Sequence, residues 1–63
     1  MNLIKGDKVE IKGNSIFEMM GFDKVSGTVI VLSTGGKAFS FKCDQTNCIE
    51  GCDFGDGDIQ KVG

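Results

Sequence analysis

The sequence predicts one small, mostly β domain, and three observations carry that prediction. Short apolar runs rich in Val, Ile, Thr and Phe alternate with polar residues at the period of a pleated strand. Ten glycines and no proline punctuate these runs at regular intervals, as turns between short strands require. The 63 residues hold one core at most, because a chain of this length buries only about 60% of the surface its unfolded form exposes. Together they describe a small barrel or meander, with residues 1–63 as a single domain.

The first strand runs from Asp7 to Lys12, with Val9 and Ile11 on one face and Lys8, Glu10 and Lys12 on the other. Gly13 and Asn14 end it. Asn14 to Gly21 has a different character. Ser15 followed by Glu18 fits a capping box, and Gly21 fits a left-handed C-cap, so a turn or two of helix is expected here, or else an apolar loop. Either is too short to hold its shape unless it docks on the body.

Lys24 to Ser33 has the densest β-branched content. Val25, Gly27, Val29 and Val31 share one face, and Ser26, Thr28, Ile30 and Leu32 the other, with burial on both faces near the end. Gly27 inside this run predicts a bulge or sharp bend. Thr34-Gly35-Gly36 reads as a hairpin turn. Lys37 to Cys43 alternates again, with Phe39, Phe41 and Cys43 inward. Residues 44–57 read as polar, glycine-bearing loop. Asp58 to Val62 is a last short turn or strand anchored by Ile59 and Val62.

Composition narrows the chemistry. The chain has no His, the usual neutral-pH acid–base residue and the commonest zinc ligand. It has no Arg to fork onto phosphate, carboxylate or guanine. With no Trp or Tyr, only Phe remains for stacking nucleobases. The net charge of −2 is split, with residues 1–42 carrying +2 and residues 43–63 carrying −4. An acidic tail region on a mildly basic body argues against a general phosphate-binding surface, and favours solubility or a basic protein partner. The first residues are too polar for a secretory segment, and Val29 to Leu32 is far too short to span a bilayer. A cytoplasmic protein without membrane contact is expected.

Several stretches resemble a known fold family. Lys5-Gly6-Asp7-Lys8-Val9-Glu10-Ile11 resembles the opening motif of SH3-like barrels, KOW-type domains among them. Gly27-Thr28-Val29-Ile30 resembles their second strand, Gly36 with Phe39 and Phe41 their hairpin and third strand, and Gly57 to Val62 their terminal turn and closing strand. The resemblance implies a five-stranded SH3-like barrel with a short helical or loop insert between strands 1 and 2. Many mini-barrels of this kind are encoded by bacteriophages and other mobile elements, which implies the cytoplasm of a host cell. Here residues 13–24 make a longer link between the first two strands than KOW-type domains have, and the chain lacks their basic charge.

Three groups of residues are candidates for chemistry. Cys43, Cys48 and Cys52 could supply zinc thiolates, with Asp44 or Asp53 as an oxygen ligand, but their spacing lacks the close pairs of structural zinc sites. The expected reading is Cys43 as a core thiol and the other two as reduced loop thiols, with no cofactor; one disulfide that leaves the third thiol free is the other alternative. Asp53, Asp56 and Asp58 crowd a glycine-rich turn without the distal Glu of a calcium loop. Ile16, Phe17, Met19, Met20 and Phe22 form the densest apolar group outside the strands, either core or an adaptable anchor patch.

No residue set combines a nucleophile, a base and an orienting group, so an enzyme is not expected. The expected function is a small non-catalytic binding protein, a phage-encoded effector that binds and modulates a host protein. Its expected contacts are Ile16, Phe17, Met19, Met20 and Phe22 together with Asp44, Glu50, Asp53 and Asp56. The alternatives are a nucleic-acid-binding KOW-like barrel using Lys5, Lys8, Lys12, Lys24, Lys37 and Lys42, or a small cysteine-based metal-binding module. Open sheet edges could also pair two copies into a homodimer.

Overall fold

Residues 2–62 are described by a computed structural model. The alternation of Val9 and Ile11 with three charged residues produces β1 (Lys8–Lys12), with both apolar side chains fully buried. A short helix, α1 (Ser15–Met19), follows at once. The remaining elements are β2 (Lys24–Leu32), β3 (Ala38–Cys43), β4 (Ile49–Asp53) and β5 (Asp58–Val62). Every pairing is antiparallel, and the strands lie in the order β4-β3-β2-β1-β5. The mostly β, five-stranded expectation therefore holds. The closed barrel does not follow from it: among the described residues no ladder joins β4 to β5, and both are edge strands.

β2 departs from the predicted register. Of the bulge or sharp bend expected at Gly27, no bulge forms: Gly27 sits in regular pairing opposite Val9 and Cys43. A Cβ there would collide with the Lys42 carbonyl oxygen and the Phe41 ring, so close approach of β3 is what requires glycine. The register shift falls instead between Val29 and Val31. One extra residue flips the faces downstream. Val31, expected to share the inner face of Val25 and Val29, is turned outward and is 55% exposed, while Leu32 packs against the core.

β4 is a second correction, because residues 44–57 were expected to be loop. Ile49 to Asp53 offers the core only Cys52 and contains Gly, Glu and Asp, all poor strand formers. Pairing with Ala38–Lys42 of β3 imposes the extended form on it. Cys52, expected as a loop thiol, is consequently buried opposite Phe39.

The core lies on one face of the sheet. Phe41, Ile11, Val9, Val25, Val29 and Cys43 are its most enclosed side chains. Phe41 is the hub: Phe17 of α1 meets it edge-on with ring centroids 5.8 Å apart, and the Phe39 ring, tilted against it, also lies at 5.8 Å. No helix of the described residues is long and apolar enough to cross a membrane.

Candidate functional site

The site is built around α1, whose five residues could not hold a helix alone. Its start was expected at a Ser15–Glu18 capping box. The cap is one residue earlier. The Asn14 Oδ1 accepts from the N–H groups of Ile16 (3.0 Å) and Phe17 (3.2 Å). The Asn14 Nδ2 donates to the Asp56 carbonyl at 3.0 Å and the Cys52 thiol at 3.4 Å. Asn14 is thereby a buried polar side chain with every hydrogen-bonding group occupied. Ser15 serves a different partner. Its hydroxyl and its N–H both donate to the Asp56 carboxylate, at 2.6 and 3.0 Å. These two bonds, the hydroxyl first, hold Asp56 below its usual carboxylate range.

The far end of α1 closes as predicted at Gly21, with φ +95°. The Gly21 N–H donates to the Glu18 carbonyl and the Phe22 N–H to the Phe17 carbonyl, a Schellman motif, and the Phe22 side chain packs against the core. This fixes how the apolar cluster is divided. Phe17 is 2% exposed and belongs to the core, and Phe22 is partly buried against it. A single helical turn has opposite faces, so the others point to water: Ile16 is 58% exposed, Met19 88% and Met20 47%.

Beside Ile16 opens a groove of about 570 Å³. Its apolar lining includes Val31, Leu32, Ala38 and Phe39, and Glu50, Asp53 and Asp56 supply carboxylates with no lysine among them. The structure thus brings together Ile16, Glu50, Asp53 and Asp56 from the expected contacts. Met19 and Met20 are exposed on the same helix outside the groove lining. Asp44 is elsewhere, in the β3–β4 turn, where Ser26 donates to it at 3.1 Å and Lys8 lies 3.9 Å away. Sequence reasoning missed Val31, which the bulge turns outward, and Gly51 of the unpredicted β4.

The other candidates disperse. Cys43 and Cys52 are buried free thiols and Cys48 an exposed one. Burial, with Asp56 and Asp53 adding to it and the Asn14 hydrogen bond opposing, pushes the Cys52 thiol up to about 11. At neutral pH it is a protonated thiol, a poor nucleophile and poor metal ligand. Among the described residues no three His, Cys, Asp or Glu side chains gather to hold a metal ion. Strand register places Lys8, Lys12, Lys24 and Lys42 on the exposed face of the sheet. Glu10 and Asp44 sit among them, 3.7 Å from Lys24 and 3.9 Å from Lys8. Comparisons with protein-family models, curated proteins and solved structures give no match.

Proposed function

We propose that this chain is a small non-catalytic binding protein that docks on another protein through α1 and the groove beside it. One observation carries the reading. In a chain with barely enough apolar surface to fold, Ile16, Met19 and Val31 are left in solvent, the first and last lining one groove. Exposed apolar groups beside a concavity mark contact surfaces, and Met adapts its shape to a partner at little cost. The groove's titratable groups are carboxylates and a thiol held protonated, a set suited to recognition rather than to bond-making.

Three free thiols accord with a reducing cytoplasm. The narrower version, a phage effector acting on a host protein, is supported only by the resemblance of Lys5–Ile11, Gly27–Ile30, Gly36 with Phe39 and Phe41, and Gly57–Val62 to SH3-like mini-barrels. The lysine-bearing sheet face favours a second reading, nucleic-acid binding, which its interleaved carboxylates weaken.

Affinity capture from a bacterial lysate, with and without nuclease, decides between them. The protein reading expects one protein retained after nuclease and lost from an Ile16→Asp variant with a native circular dichroism spectrum. Retention that disappears with nuclease would transfer the function to the sheet face.

A further inference from the structure

Resting on that reading, we infer that the groove takes an extended segment of the partner, added as a sixth strand along β4, with a large apolar side chain over Gly51 and flanking lysine or arginine. β4 is an edge strand and supplies four of its five residues to the groove. The ladder shows which way its backbone points. Cys43 donates to Cys48 and Phe54 to Lys37 at the two ends of the β3–β4 pairing. Antiparallel alternation between these bonds turns the N–H and C=O of Glu50 and Cys52 toward β3, and those of Ile49 and Gly51 outward. That outward row is a template for one more strand.

Gly51 is the second observation. It has no left-handed φ, and a Cβ built on it meets nothing within 4 Å. Unlike Gly27, the fold does not need it, and glycine weakens a strand interior. A glycine that the fold does not require leaves room for something else to approach. The space above it continues across Ser40 to the exposed Val31, its neighbours in the same cross-sheet row. A bulky apolar side chain opposite Gly51 would lie in that trough. The charge of the groove then specifies the flanks: Glu50 and Asp53 are acidic and no lysine lines the groove, Lys42 lying on the Gly51 face two residues along β3 from Ser40, opposite Ile49.

The test is a ¹⁵N NMR titration with a seven-residue peptide, lysine and valine alternating about a central phenylalanine, against the same peptide with glutamate for lysine. Shifts confined to residues 49–53, Val31 and Ile16, and absent with the glutamate peptide, are expected. Gly51→Val should keep the native spectrum and weaken binding at least tenfold, and Glu50→Lys with Asp53→Lys should do the same by charge. Equal binding of both peptides, full binding by Gly51→Val, or shifts centred on Lys12, Lys24 and Ser26 at the far end of the exposed sheet face would overturn the inference. Concentration-dependent dimerisation through β4 without peptide would overturn it in favour of a second copy as the occupant. A captured partner that still binds Gly51→Val but not Ile16→Asp would leave the docking function standing and remove the added strand.

Discussion

Asn14 and Cys52, 38 residues apart, meet through a hydrogen bond of 3.4 Å from the amide to the buried thiol. The same amide group bonds the Asp56 carbonyl, and its oxygen caps α1. One side chain therefore ties the helix to edge strand β4 and to the loop that follows it. This junction sets the position of Ile16 relative to Glu50 and Asp53, and with it the shape of the groove.

Removing that junction should cost more than removing an ordinary cap. Asn14→Ala loses a cap and leaves buried partners unsatisfied, for a loss of about 2–3 kcal/mol in urea denaturation. Glu18→Ala, which would matter had the capping box formed at Ser15, should change stability by less than about 0.5 kcal/mol. Equal losses from the two variants would return the cap to Ser15.

Acid should loosen α1 through Asp56. Its folded pKa lies below the unfolded value, so the stability it contributes is present above about pH 4 and lost as pH falls through the folded value. Asp7, held down first by the Ile4 N–H and then by Lys61, adds a loss of the same sign. Asp56→Asn should flatten the decline in thermal midpoint between about pH 5 and pH 2. An unchanged slope would remove Asp56 as its source.

The thiols predict the alkaline side. Cys52 titrates at about 11 when folded against an ordinary 9.0, so its stabilisation is present below pH 9 and is lost as pH rises toward 11. Cys52→Ala should abolish that decline at the expense of a small cavity. A thiol-specific disulfide reagent at pH 8 should modify Cys48 rapidly, and Cys43 and Cys52 only at the rate of unfolding. Three equally fast thiols would contradict the burial of two.

Gly27 and Gly51 should respond oppositely to the same substitution. Gly27→Ala drives a methyl group into the backbone of β3 and should destabilise by about 3 kcal/mol or more. Gly51→Ala meets open space and should stabilise by about 0.5–1 kcal/mol. Thermal denaturation of the two variants separates a glycine the fold requires from one it does not.

The reasons some elements were legible and others not are physical. Val9 with Ile11 and Phe39 with Phe41 show strict alternation, because each strand has one buried face. β4 carries one buried side chain, so no period exists to read, and its strand form comes from β3. The bulge after Val29 left no local mark, since Ile30 and Val31 are as apolar as their neighbours. Asn14 and Ser15 are both good caps, and the choice between them is made by Asp56 and Cys52 across the chain. The acidic half of the site, Glu50, Asp53 and Asp56, was visible as charge. The apolar half was visible as a cluster, but five apolar residues within the seven positions 16–22 cannot announce which of them face inward. The fold gives that role to Phe17 and Phe22.

Hydrogen–deuterium exchange of this chain, alone and with its captured protein partner, tests the docking surface most directly. New protection at Ile16–Met20 and Ile49–Asp53, with Lys8–Lys12 and Lys24–Thr28 unchanged, is the predicted result. Protection centred on Lys8–Lys12 and Lys24–Thr28, with α1 and β4 exchanging as before, would contradict it.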